Sequence, residues 1–598
     1  MNTVPEREEI DEEYKWALES IFQNDDNWEA AYDAIGDRLD EIRDYEGRVT
    51  DGPETLLELL ETREEIAREV SRVAVYAQLR SSEDTRSGEY QAMSAKASSL
   101  GADASSAGSF IDPAIQQLDH ETIDAWMQDV PALQEYEHYF DDVLRAKEHT
   151  RSAEVEEVIA ELSEVTGAPN EIYSMLTNAD MSFGTVEDPD GEELEISQAN
   201  FTTLQKRPDR AFRQDVYETF YDEWEDVRNT VGTSLEKAVR KHVVSAEMRG
   251  YDTARAAALD GPNVPPDVYD TLVETVRGEI DALHRHAELK QRALGVDTLR
   301  PWDLYMSLTG EEGPEIPYEQ AREWVIEAVE PLGQPYQDRV AEGLDSRWVD
   351  VYENQGKRAG AFSSGTYDTQ PFVMMNYQDD VSSMFTLAHE LGHSMHSELA
   401  GDAQPWHDAN YEIFVAEIAS TVNETLLTHH LLETLEDDEL RVHLLDEYLE
   451  RFRSTLFRQT MFADFEHRIH TRVEDGESLT PDVLDEMYGD LNAAFYEPAD
   501  MSGGIRREWE RIPHFYYDFY VYQYATGISA AAAIVERIQE EGETAAADYR
   551  EMLEAGGSDY PLPVVERAGI DMSQSDPVES AVDIYREYLD RIESLLEL

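Results

Sequence analysis

The residues best suited to chemistry in this chain are the run HELGH at 389–393. His389 and His393 stand four positions apart. On an α-helix that spacing puts both imidazoles on one face, a turn apart, within reach of a single Zn²⁺. Glu390 leaves the helix beside them, where a carboxylate can take a proton from a metal-bound water. The chemistry such a set performs is hydrolysis by activated water, with one zinc ion per chain. Five residues of this kind also recur by chance, so context has to supply a third protein ligand and leave a fourth position open.

Several known arrangements fail at once. A metzincin extension needs glycine at 396 and histidine at 399, and the chain has His396 and Leu399. A thermolysin-like spacing falls on Ile413. Two carboxylates remain, on a predicted helix through NYEIFVAEIASTVNE: Glu412 and Glu417. Five positions turn a helix by about 500°, or about 140° net, so the two cannot face one metal together. Glu412 has the spacing used by aminopeptidases of the leukotriene-hydrolase type. Those also need a Gly-x-Met-Glu-Asn segment upstream, which is missing here. Context favours Glu417, set among Val415, Ala416, Ile418 and Ala419 as an inward-facing carboxylate is. Glu424 follows two turns on, either behind a ligand histidine or at an ordinary surface. His396 either lines the site or packs elsewhere.

These residues need a rigid frame. Asp379 or Asp380 is the expected N-cap of a helix carrying VSSMFTLAHELGHSMHSEL. Just before it, GKRAGAFSSGTYDTQPFVMMNYQDD (356–380) is rich in Gly, Ser, Thr and aromatics and reads as two or three short strands. Residues 1–180 read as successive amphipathic helices, with apolar residues at helical spacing from Thr55 to Val75. FGTV and ELEI around EDPDGE predict a β-hairpin at 183–196. Asp188 and Asp190 there belong to a plain turn, because the other ligands of a calcium loop are missing. Helical patterning resumes from about 201. The expectation is a mainly α fold with a small β-sheet beside the HExxH site. It divides into an N-terminal helical lobe ending in the hairpin (1–200) and a catalytic domain (201–598).

Composition narrows the setting. Among 598 residues, 130 are acidic and 48 basic, a formal net charge of −82. Eight are lysines, leaving 48 − 8 = 40 arginines. Such a surface repels nucleic acid and anionic membranes. Its self-repulsion is screened only where the Debye length falls to about 3 Å, near 1 M salt. The acidic residues run along the whole chain and not in a tail, which points to a cytoplasmic protein of a halophile. There are no cysteines, so any metal must rest on His and carboxylate. The start of the chain lacks the basic and apolar regions of a secretory signal. ISAAAAIV (528–535) is too short to span a bilayer.

Three blocks carry a resemblance. They are GKRAGAFSSGTYDTQPFVMMNY, then FTLAHELGHSMHS with FVAEIASTVNE, then WERIPHFYYDFYVYQYATG at 509–527. Together they resemble oligoendopeptidase F, of the thimet oligopeptidase family of zinc metallopeptidases, across most of the chain from about residue 200. The resemblance implies two helical lobes around a deep substrate channel. It makes His389, His393 and Glu417 the zinc ligands and Glu390 the general base. It implies that AFSSG is an edge strand that pairs with an extended peptide. His514, Tyr517 and Tyr524 would be donors to the developing oxyanion, with Tyr516 a competitor for Tyr517. Tyr517 and Tyr524, seven positions apart, would share one helix face. The implied partners are short peptides, cut at internal bonds.

Two other readings are open. An exopeptidase, either a carboxypeptidase or a dipeptidase, would add a charged group that captures a peptide terminus. A peptide-binding protein with structural zinc would close the ion with four protein ligands and have no use for Glu390.

Overall fold

The computed structural model describes residues 4–310 and 313–598. The fold is mainly α, with five short strands in two small sheets among the described residues. Two compact units appear, each assembled from three stretches and each drawing on segments from both sides of residue 200. No helix among the described residues is long and apolar enough to cross a membrane.

The first unit comprises Met1–Glu148, Glu315–His430 and Arg537–Gly569. Its helical core forms around the helix Pro53–Glu83, where Leu56, Leu59, Leu60, Ile66 and Val73 recur on one face and are buried. Proline at its first position costs no hydrogen bond, since that amide has no helical partner. The flanking helices Asp25–Arg43 and Gly88–Gly108 start on the side chains of Asn24 and Ser87, which accept from Asn27 and Tyr90 amides.

A three-stranded sheet sits against this core. With β1 (Thr185–Glu187) and β2 (Glu193–Glu195) forming the hairpin of the other unit, its strands are β3 (Val349–Asp350), β4 (Phe362–Ser364) and β5 (Phe372–Met374). The order is β3-β5-β4, with β3 parallel and β4 antiparallel to β5. Phe372 and Met374 of the central strand enter the helical core. That anchors the sheet and leaves β4 on its edge. Asp350 fixes β3 from the other side: it accepts from Arg7 Nη2 at 2.5 Å and pairs with Lys357 Nζ at 2.6 Å. Burial works against its charge, but Lys357 and Arg7 outweigh that cost and hold its carboxyl below the ordinary range.

The second unit comprises His149–Pro314, Leu431–Glu536 and Ile570–Leu598. Its longest element is the helix Arg210–Arg249, capped by Asp209 and ended by Gly250 at φ 84°. The hairpin pairs Val186 with Leu194 in antiparallel register. Asp188 Oδ1 accepts from the amides of Asp190 and Glu192, both at 2.9 Å, so its carboxylate closes the turn.

Buried ions in this unit are mostly paired. Glu508 accepts from Arg458 at 2.6 Å and from the Tyr488 hydroxyl at 2.7 Å. Glu510 is an exception: fully buried, with no hydrogen-bond partner for either oxygen among the described residues. Burial, reinforced by Asp485, pushes its carboxyl up to about 9. The folded state therefore binds more protons than the unfolded one between the ordinary glutamate range and pH 9. Stability should fall as pH rises through that window, by up to about 1.4 kcal/mol per pH unit for one proton. Glu510→Gln should flatten that slope in thermal melts from pH 5 to 9. An unchanged slope would show that Glu510 is already ionised in the fold.

Candidate active site

Two helices, whose site residues all lie in the first unit, build the candidate metal centre. The helix Val381–Ala403 starts on Asp380, whose carboxylate accepts from the Ser383 amide at 2.7 Å. Of the two expected caps, Asp380 is the one used. The second helix runs Ile413–Thr434.

They cross at Gly392, inside HELGH. A Cβ there would lie 2.5 Å from the Ala419 carbonyl oxygen and 2.6 Å from Ser420 Cα. Glycine is the residue that lets the two backbones touch. The contact has a second tie: Asn423 Nδ2 donates to the Ala388 carbonyl at 3.3 Å, and Asn423 Oδ1 accepts from the Tyr336 hydroxyl at 3.2 Å.

The crossing brings three donors together. Glu417 Oε2 lies 3.6 Å from His389 Nε2 and 3.8 Å from His393 Nε2. Glu424, one of the two readings for which was an ordinary surface residue, is buried and accepts from His389 Nδ1 at 2.6 Å. That hydrogen bond fixes the tautomer and turns Nε2 toward His393 and Glu417. Two imidazole nitrogens and one carboxylate oxygen, within 4.8 Å of one another, fit a zinc ion with an open position. Glu412 sits elsewhere, just before the helix. Burial, then Asp142, raises its carboxyl, so its surroundings are those of the N-terminal helices.

The charges of the site are tuned by opposing effects. Burial disfavours the His389 cation, but Glu424 and then Glu417 and Glu390 overcome it and raise the ring to about 9. Burial, aided by the charge on His389, lowers His393 to about 3. Glu390 is 7% exposed. Burial raises its carboxyl to about 7, with Glu417 adding to the rise; His389 and a hydrogen bond from the Ser363 backbone pull the other way. Ser363 belongs to β4, and its hydroxyl also meets that of Ser394 at 2.9 Å. The sequence pattern of AFSSG marked a strand, but nothing in it marked this contact with the HELGH helix.

His396 packs away from the metal donors. It is buried and lies flat on Tyr411, centroids 3.4 Å apart. Burial, then the charge of His393, lowers it to about 3, so it is a neutral core ring.

The second unit holds the other predicted residues. His514 lies in a short 3₁₀ segment, Pro513–Tyr516, and its ring lies 5.5 Å from Tyr517 and 6.2 Å from Tyr524. The expectation of a single helix face for Tyr517 and Tyr524 is corrected here. Asp518 and Phe519 adopt positive φ, 56° and 58°, and the helix begins only at Tyr522. A turn, not two helical turns, brings the rings together. It also separates the competing tyrosines: Tyr516 is 8% exposed and stacks on Tyr173, whereas Tyr517 is 48% exposed beside His514. Tyr520 was missed. It stacks on His514 at 6.0 Å and its hydroxyl lies 3.5 Å from that of Tyr524.

The fold and the centre define a helical metallopeptidase. A model of peptidase family M3 matches residues 203–584, and one described as Oligopeptidase F matches 115–183. Oligopeptidase PepF of Bacillus subtilis is 39% identical over 596 residues, covering 100% of this chain and 89% of that protein. Group B oligopeptidase PepB of Streptococcus agalactiae is 38% identical over 591 residues, covering 99% and 98%. The crystal structure of oligoendopeptidase-F from Enterococcus faecium aligns with a TM-score of 0.75 at 35% identity, covering 96% of this chain and 99% of that one. The chain belongs to peptidase family M3 and is a metallo-oligopeptidase.

Two outcomes follow from the geometry. Gly392→Ala should force the helices apart and lower kcat/KM by about 100-fold, the scale of a 1 Å misplacement, while circular dichroism stays helical. Activity within threefold of the parent would show that the crossing does not set the site. Glu424→Gln should weaken metal affinity by about 10- to 100-fold in a competition titration with a chelator, and an unchanged affinity would refute its orienting role.

Proposed function

We propose that this metallo-oligopeptidase is a zinc-dependent endopeptidase acting on internal bonds of short peptides. The observation that carries the reading is the convergence of His389, His393 and Glu417, with Glu390 beside them and Glu424 behind. His389 Nε2, His393 Nε2 and Glu417 Oε2 would hold the ion. Zinc, when bound, supplies Lewis acidity to a water and to the scissile carbonyl. Glu390 takes the water's proton and returns it to the leaving amine. A carboxyl raised to about 7 serves both steps, because it binds and releases a proton near neutrality. His514, Tyr517 and Tyr524 are the proposed donors to the oxyanion, supported by their grouping and by the exposure of Tyr517.

The edge position of β4 supports binding of an extended peptide by strand addition, next to Glu390 through Ser363. Oligopeptidases and an oligoendopeptidase among the relatives agree with substrates of this kind. The charge of −82 supports work in concentrated salt, in a halophile's cytoplasm. Residues 201–598 would be the catalytic domain and 1–200 a helical lobe that precedes it.

The deciding experiment uses a quenched-fluorescent peptide blocked at both ends, in multimolar salt, with metal analysis. The parent should contain zinc and cleave it, which an exopeptidase would not do. Glu390→Gln should keep the metal and lose at least about 100-fold in kcat. Near-normal turnover by that variant would refute the mechanism, and a blocked peptide left intact would refute endopeptidase action.

A further inference from the structure

We propose that His242, His470 and Asp518 form a second metal site, for a divalent transition ion such as Zn²⁺, whose binding does not depend on the HELGH centre. All three lie in the second unit. His242 comes from the helix Arg210–Arg249 and His470 from Arg458–Glu474. Asp518 comes from the turn that precedes the helix Tyr522–Glu541. His242 Nδ1 lies 3.2 Å from His470 Nε2 and 3.4 Å from Asp518 Oδ1. His470 Nε2 and Asp518 Oδ1 are 3.9 Å apart. A tetrahedral ion with bonds of about 2.0–2.1 Å separates its donors by about 3.3–3.4 Å. This trio is spaced as closely as the one in HELGH.

The donors are prepared for an ion. His470 Nδ1 donates to the Glu466 carbonyl at 2.8 Å, which leaves Nε2 with its lone pair toward the others. Without a cation, two carboxyl oxygens beside the histidines lack partners. Asp518 Oδ1 and Glu466 Oε2 are both buried with no hydrogen-bond partner among the described residues. Burial raises both carboxyls, and Asp518 adds to the rise at Glu466. Lys241 draws Asp518 the other way but makes no ion pair with it among the described residues. One proton on His242 Nδ1 can serve His470 or Asp518, not both. A divalent ion satisfies all three donors and offsets the neighbouring Glu466.

Such an ion would pin two helices to the turn that orients His514, Tyr517 and Tyr520. Its role is to hold that turn, and the three ligands are positioning residues. The test starts from a His389→Ala/His393→Ala variant, so that the HELGH centre cannot answer for the second site. The protein is stripped with chelator, loaded with Zn²⁺, and passed through a sizing column in multimolar salt before metal analysis. One equivalent per chain should remain. Asp518→Asn in that background should lower affinity by at least about 10-fold, and His470→Ala should do the same, with circular dichroism reporting on folding. Co²⁺ in place of zinc should give visible ligand-field bands that Asp518→Asn abolishes. No retained equivalent in the starting variant overturns the proposal. So does an equivalent that survives Asp518→Asn, since that would be binding by surface carboxylates. If His470→Ala does not fold, the Asp518→Asn comparison decides alone.

Discussion

The candidate metal centre depends on two helices touching backbone to backbone at Gly392. Imidazoles one turn apart are easily made from a single helix, but the third donor must come from another chain segment at a fixed distance. Helices that pack through ordinary side chains lie about 8–10 Å apart at their axes. The Ala419 and Ser420 backbone stands where a Cβ of residue 392 would go, so the pair sits at the close end of that range. A glutamate side chain can then reach both histidines, and a second glutamate two turns on can reach the back of one of them. Glycine inside a helix is normally a loss of about 1 kcal/mol against alanine. Here the loss secures the geometry on which every proposed catalytic distance rests.

The same crossing sets the electrostatics. Three carboxylates and two histidines are drawn into a partly buried space, and their mutual effects decide the proton positions. Glu424 holds the proton of His389 on Nδ1. His393 is left neutral by burial, and a second positive ring beside the first is disfavoured as well. Glu390, taken from water and set near Glu417, keeps its proton more readily than a surface glutamate. Removing any one member would therefore change the protonation of the others.

Some of this was legible in the residues and some was not. The HELGH spacing sets two imidazoles a turn apart on one helix, and in the structure their Nε2 atoms lie 3.6 and 3.8 Å from Glu417 Oε2. Glu417 over Glu412 was readable because apolar neighbours mark an inward face. Glu424 was ambiguous, since sequence gives periodicity but not the partner that a periodic position meets. The tyrosine segment misled for a physical reason. HFYYDFYVYQY has the aromatic spacing of a helix, yet Asp518 and Phe519 turn left-handed within it. Aspartate tolerates that conformation better than most residues, but phenylalanine gives no local warning. Contacts between distant segments, such as Ser363 with Ser394 or His242 with His470, had no signal at all.

The charge of the chain and the charge of its interior obey different rules. The surface carries most of a net −82, and salt screens it within a few ångströms when concentrated. Buried groups feel little of that screening. Asp350 between Arg7 and Lys357, or Glu508 with Arg458, is stabilised by partners that salt does not displace. Lowering the salt should therefore strain the molecule from outside while leaving these anchors intact. Groups with no such partner, Glu510 and the Asp518–Glu466 pair, respond instead to protons or to a bound cation. In a chain this acidic, unpaired carboxylates withdrawn from the surface are where solution conditions reach the interior, and Glu466, which accepts from the Phe519 amide in the turn that carries the tyrosines, is one of them.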